Sequence, residues 1–115
     1  MCYLYCMGII PETLEDWLGY YQGALNRKCL DDEGFVLDAE RLLNYITGHR
    51  FRVTKKAITG IEDIKKATPV WYSIDGKSGH WVVVENGKIV FNPLEVSRNV
   101  NQGKPRDARI IELAA

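Results

Sequence analysis

The chain reads as an α+β fold, with N-terminal helices packed on a mostly antiparallel β-sheet. Two observations predict this. Apolar residues recur at helical spacing through the first half, and after Pro69 the chain turns to runs rich in Val, Ile and aromatics. Hairpin turn signals separate those runs, so most of the strands pair antiparallel. At 115 residues the chain forms a single domain, 1–115, with one modest core.

Each element follows from local pattern. Cys2 to Ile10 carries no charge and is apolar all round, which predicts a short enclosed helix. Pro11 ends it or starts the next element. Leu14, Trp17, Leu18, Tyr21 and Leu25 then recur at helical spacing among Glu12, Glu15, Asp16 and Gln22. They predict an amphipathic helix from Glu12 to Arg27, acidic at the end where the helix dipole favours it. Lys28 to Gly34 is a connecting loop that holds Cys29. Asp38 is placed to cap a third helix, with Leu42, Leu43 and Ile46 on its apolar face and Gly48 just past its end. Phe51 to Lys55 alternates as a strand does, and Thr59 with Glu62 has capping-box spacing, predicting a short helix through Lys66. Strands follow at Val70 to Ile74, His80 to Glu85, Lys88 to Asn92 and Arg109 to Leu113, with a polar surface loop over Leu94 to Asp107.

Composition excludes several classes of function. Fifteen basic and fifteen acidic residues cancel, so no broad basic face for nucleic acid is expected. Three cysteines without CxxC spacing fit a reduced, cytoplasmic setting better than a disulfide framework. The apolar opening lacks a basic leader and runs at once into Pro11-Glu12, so it reads as a buried helix, not a signal peptide. No apolar run approaches the roughly 18 residues of a membrane span. Zinc at Cys2, Cys6 and His80 lacks an identifiable further ligand, so neither metal nor cofactor is expected. Trp17, Trp71 and Trp81 read as core or rim aromatics.

The chemistry concentrates in Gly79-His80-Trp81-Val82-Val83-Val84-Glu85-Asn86-Gly87-Lys88-Ile89-Val90-Phe91-Asn92-Pro93. This is a β-hairpin with a histidine on its first strand and an asparagine on its second. The turn decides whether the two cooperate, because a one-residue slip moves a side chain to the other face. A two-residue Asn86-Gly87 turn sets Glu85 against Lys88 and Trp81 against Asn92, and His80 then points away. A three-residue loop with a bulge at Gly87 sets Val84 against Lys88 and His80 against Asn92. Both turns fit the residues.

Cys2 opens the first helix, where free backbone N–H groups and the dipole favour a thiolate. His80 could take its proton and Asn92 could orient the imidazole. Cys6, one turn on, is the competing thiol, and Cys29 reads as a packing thiol. Taken together, Cys2-Tyr3 before an apolar helix, Gly79-His80-Trp81-Val82-Val83 and Asn92-Pro93 resemble the papain-like cysteine peptidases. The resemblance is particularly to small bacterial and phage members near the bacteriocin-leader-processing peptidases. The segment from Leu25 to Tyr45 resembles the helical region of those members, so the likeness extends to about Pro93.

The resemblance implies a minimal papain-like fold and a Cys2–His80–Asn92 triad acting on a peptide or isopeptide bond of a peptide or protein substrate. Those peptidases carry a glutamine several residues before the cysteine, as an oxyanion donor, and here only Met1 precedes Cys2. The alternatives are a truncated chain, another donor from residues 99–102, or lost catalysis with a partner-binding cleft retained. A small phage or mobile-element inhibitor of a host protein is a further reading.

Overall fold

The computed structural model describes residues 2–9, 13–31, 35–92 and 98–114. Pro11, Glu12, Gly34, Pro93 and the start of the polar loop from Leu94 lie outside them. Along the chain come α1 (Cys2–Cys6), α2 (Leu14–Asn26), α3 (Ala39–Thr47), β1 (Phe51–Ala57), β2 (Thr68–Ser73), β3 (His80–Glu85), β4 (Lys88–Phe91), α4 (Arg98–Asn101) and β5 (Lys104–Leu113). The architecture is α+β. One five-stranded sheet runs in the order β1-β5-β2-β3-β4, with β2–β3, β2–β5 and β3–β4 antiparallel.

The described residues group into two compact units. One comprises residues 1–8 and 54–111, the other residues 9–53 and 112–115. In the first, β2 lies between β5 and β3, and one face of the sheet carries the core. Val70, Tyr72, Val82, Val84 and Ala108 are buried there, and Ile58, Ile61, Ile64, Val100 and Ile110 pack against them. Cross-strand partners such as Val70 with Val82 and Val70 with Ala108 share that face, as antiparallel pairing requires. α1 packs on β2 and β3, and α4 on β2.

Three expectations for this unit are corrected. α1 stops at Cys6, because Gly8 takes a φ of +73° that ends the helix four residues before Ile10. The helix expected from Thr59 to Lys66 is a turn instead, closed by Ile64 N–H donating to the Ile61 carbonyl at 3.1 Å. The Ile64 and Lys65 carbonyls accept from the Gly87 and Asn86 N–H groups, so the hairpin tip takes the acceptors a continuing helix would use. The polar stretch before Asp107 is ordered as α4 and the first part of β5, where Tyr72 and Ser73 pair with Pro105 and Lys104.

In the second unit α2 and α3 pack on each other. Thr13 caps α2 by accepting from Asp16 N–H, and Asp38 caps α3 by accepting from Arg41 N–H at 3.0 Å. Gly48, at φ +76°, ends α3. The helices meet where Gly23 leaves room for Tyr45, since a Cβ at Gly23 would fall on the phenol. Leu43 and Cys29 are fully buried and Ala24 nearly so. Leu14 and Leu18, expected on the inner face of α2, are exposed, and Ala24 fills that role because the close Gly23–Tyr45 approach admits only a small neighbour.

Candidate functional site

The loop before β3 fixes the first candidate side chain. Asp75 Oδ1 accepts from Lys77 N–H at 2.8 Å and Ser78 N–H at 3.1 Å, and these bonds hold the carboxyl below its usual value. The buried Ser73 hydroxyl accepts from Gly76 N–H and donates to the Ser78 carbonyl. Arg106 ties the same loop to β5 through the Ser73 and Ile74 carbonyls. The chain then passes Gly79, where a Cβ would strike the Tyr72 carbonyl and the Trp71 indole, and enters β3 at His80.

His80 meets Asn92. Its Nε2 lies 2.8 Å from Asn92 Oδ1. The carboxamide oxygen only accepts, so Nε2 donates in this bond and Nδ1 is the ring nitrogen left to act as a base.

The register that permits this is neither of the two the sequence offered. The turn is the two-residue Asn86-Gly87 form, with Asn86 at φ +53° and Gly87 at φ +74° and Glu85 opposite Lys88. Val84 then pairs with Ile89, but Val83 pairs with Phe91, leaving Val90 as an inserted bulge residue. That extra residue reverses the alternation along the end of β4. Continuing the register puts Asn92 opposite Val82, on the face that His80 shares.

Cys2 arrives on the other face. Tyr5 stacks on Phe91 with ring centroids 4.8 Å apart, and Phe91 shares its face with Val83. α1 therefore covers the face of Trp81, Val83 and Glu85, opposite His80, Val82 and Val84. Its direction along β3 is equally defined. The Arg109 guanidinium acts on Tyr3 and lies 4.8 Å over the Trp81 ring, while the Glu85 carboxylate acts on Cys6. The start of α1 thus sits at the His80–Trp81 end of β3 and its last residue at the Glu85 end.

Cys2 and His80 share an end of the strand, but among the described residues no hydrogen bond joins them, and Cys2 is 7% exposed. Burial pushes the Cys2 thiol up to about 11, overturning the expectation that the helix start makes it a thiolate. A five-residue helix has too small a dipole to offset that desolvation. Cys6 is pushed up to about 12, first by burial and then by Cys2 and Glu85, which makes it the poorer nucleophile. Cys29 is fully buried and its thiol is raised by burial, as a packing residue's would be.

Arg109 was not singled out from sequence, although its signal was there. It alternates with Ala108 and Ile110 of the core face, so its side chain belongs to the face that α1 covers. Among the described residues no group of three or more His, Cys, Asp or Glu is placed to hold a metal ion, and no helix is long and apolar enough to cross a membrane. None of the protein-family models, curated proteins or solved structures compared with this chain gives a significant match.

Proposed function

We propose that the chain is a papain-like cysteine hydrolase acting on an amide bond of a peptide or protein, through Cys2, His80 and Asn92. The observation that carries this reading is the 2.8 Å contact between His80 Nε2 and Asn92 Oδ1, which leaves Nδ1 as an oriented base. In the reaction, Nδ1 takes the Cys2 proton as sulfur attacks the carbonyl, and then delivers it to the leaving amine. The Cys2 backbone N–H donates to the developing oxyanion. Water then attacks the acyl-thioester with Nδ1 again accepting the proton, and the carboxylate product leaves the free thiol. This reading requires the His80 ring, held on the opposite face from Cys2 without substrate, to turn past the end of the sheet together with Asn92 when substrate binds. The balanced charge of the chain favours a peptide or protein partner over nucleic acid.

A second reading is favoured by the enclosed, high-pKa thiol: a papain-like domain that has lost catalysis and binds a peptide or protein partner in the same cleft. Alkylation by iodoacetamide at neutral pH separates the two. The hydrolase predicts rapid, single labelling at Cys2, slowed by at least tenfold in His80→Ala. Equally slow labelling of Cys2, Cys6 and Cys29, indifferent to His80, would discard it and leave the binding domain.

A further inference from the structure

We infer that Arg109 forms a carboxylate-binding subsite, together with Trp81 and Tyr3, on the α1-covered face at the Cys2 end of β3. Its guanidinium lies flat enough on Trp81 to bring Cζ within 4.8 Å of the ring centroid. Its Nη1 is enclosed by protein and has no hydrogen-bond acceptor. Glu85 and Asp107 share the face by strand alternation, yet neither forms an ion pair with Arg109 among the described residues. Buried donors are nearly always satisfied, and leaving a charged one unmet costs more than leaving a neutral group unmet. An acceptor brought by a ligand removes that cost.

The chemistry of the corner selects the ligand. A guanidinium presents a planar fork of N–H donors that matches the two oxygens of a carboxylate, and the indole beneath it holds the plane in place. Tyr3, from the start of α1, feels the Arg109 charge and stays a neutral O–H donor, since burial raises its phenol more than Arg109 lowers it. Arg109 as a whole is only half-buried, although its Nη1 is enclosed, so a ligand must enter beside the side chain to reach that donor. The carboxylate comes from a peptide, as its C-terminus or as an aspartate or glutamate side chain. This goes beyond the hydrolase reading, because binding at Arg109 requires no thiol chemistry.

The test is calorimetric titration of the full chain with four acetylated tripeptides. Ala-Ala-Ala is used with a free C-terminus and as its amide; Ala-Asp-Ala amide is paired with Ala-Asn-Ala amide. At least one carboxylate peptide is expected to bind tenfold or more tightly than its neutral counterpart and to shift the Trp81 indole N–H resonance. Which one does so identifies the source of the carboxylate. Arg109→Met should abolish the discrimination, and Arg109→Lys, which keeps the charge without the fork, should retain only part of it. Equal binding of charged and neutral peptides, no binding of any, or discrimination that survives in Arg109→Met overturns the inference. Should Arg109→Met fail to fold, the wild-type discrimination, the Trp81 shift and Arg109→Lys still decide it. Iodoacetamide labelling reads Cys2 and His80 without any peptide, so either idea can fail alone.

Discussion

His80 takes its place from one hydrogen bond and from one preceding residue without a side chain. Asn92 binds its Nε2, and the missing side chain at Gly79 lets the Trp71 indole close against the strand entrance. Gly79→Ala places a methyl on the Tyr72 carbonyl and that indole, so a loss of about 1–3 kcal/mol is expected from urea unfolding. The same variant should slow His80-dependent labelling of Cys2.

The thiols make a second residue-scale prediction. Cys2 is raised from 9.0 to about 11 and Cys6 from 9.0 to about 12, both mainly by burial. The unfolded chain therefore loses these protons first as pH rises, and the folded chain keeps them longer. Stability is fully present below pH 9 and falls as pH climbs through 9 to 12, by about 1.4 kcal/mol per pH unit for each group in its window. Urea midpoints measured from pH 8 to 11 should decline, and the decline should flatten in Cys6→Ala.

At the scale of elements, the hairpin carries the site through one inserted residue. Val90 is the bulge that returns Asn92 to the face of His80. Deleting Val90 removes the bulge while Ile89 stays opposite Val84 and Phe91 opposite Val83, so Asn92 stays on the face of His80 and the pair is kept. The expected result is a retained hydrogen-bonded His80 ring N–H resonance, labelling kinetics unlike those of Asn92→Ala, and an unchanged far-ultraviolet circular dichroism. A deletion variant that loses the resonance contradicts the register argument. The two strands and a turn around Asn86-Gly87 were legible in the sequence, which left a two-residue and a three-residue turn both open; the bulge at Val90 was not. It arises where β4, an edge strand paired only with β3, can bend without breaking a second ladder.

The whole molecule divides its apolar residues unevenly between surface and core. In the unit containing α2 and α3, Leu43 is fully buried, whereas Leu14 is 71% and Leu18 52% exposed. Leu43→Ala should cost about 2–5 kcal/mol, while Leu18→Ala should stay within about 0.5 kcal/mol apart from any change in helix propensity. Comparable losses from both substitutions would show that the face of α2 is covered in solution. The periodicity of α2 located the helix correctly but did not identify its buried face, because burial there follows from the close Gly23–Tyr45 approach between two helices.

What the sequence determined by itself was local. Asp38 caps α3 through a bond within three residues, Gly48 ends that helix by its own φ, and a hairpin turns around Asn86-Gly87. Such signals act over a few residues, so they can be read without the rest of the fold. Tertiary structure alone decided the placement of β5 between β1 and β2, the replacement of a Thr59 helix by a turn, and the face each site residue occupies. These depend on which distant backbone groups satisfy one another and on how much water is excluded from Cys2. Both are properties of the packed chain and not of any short segment.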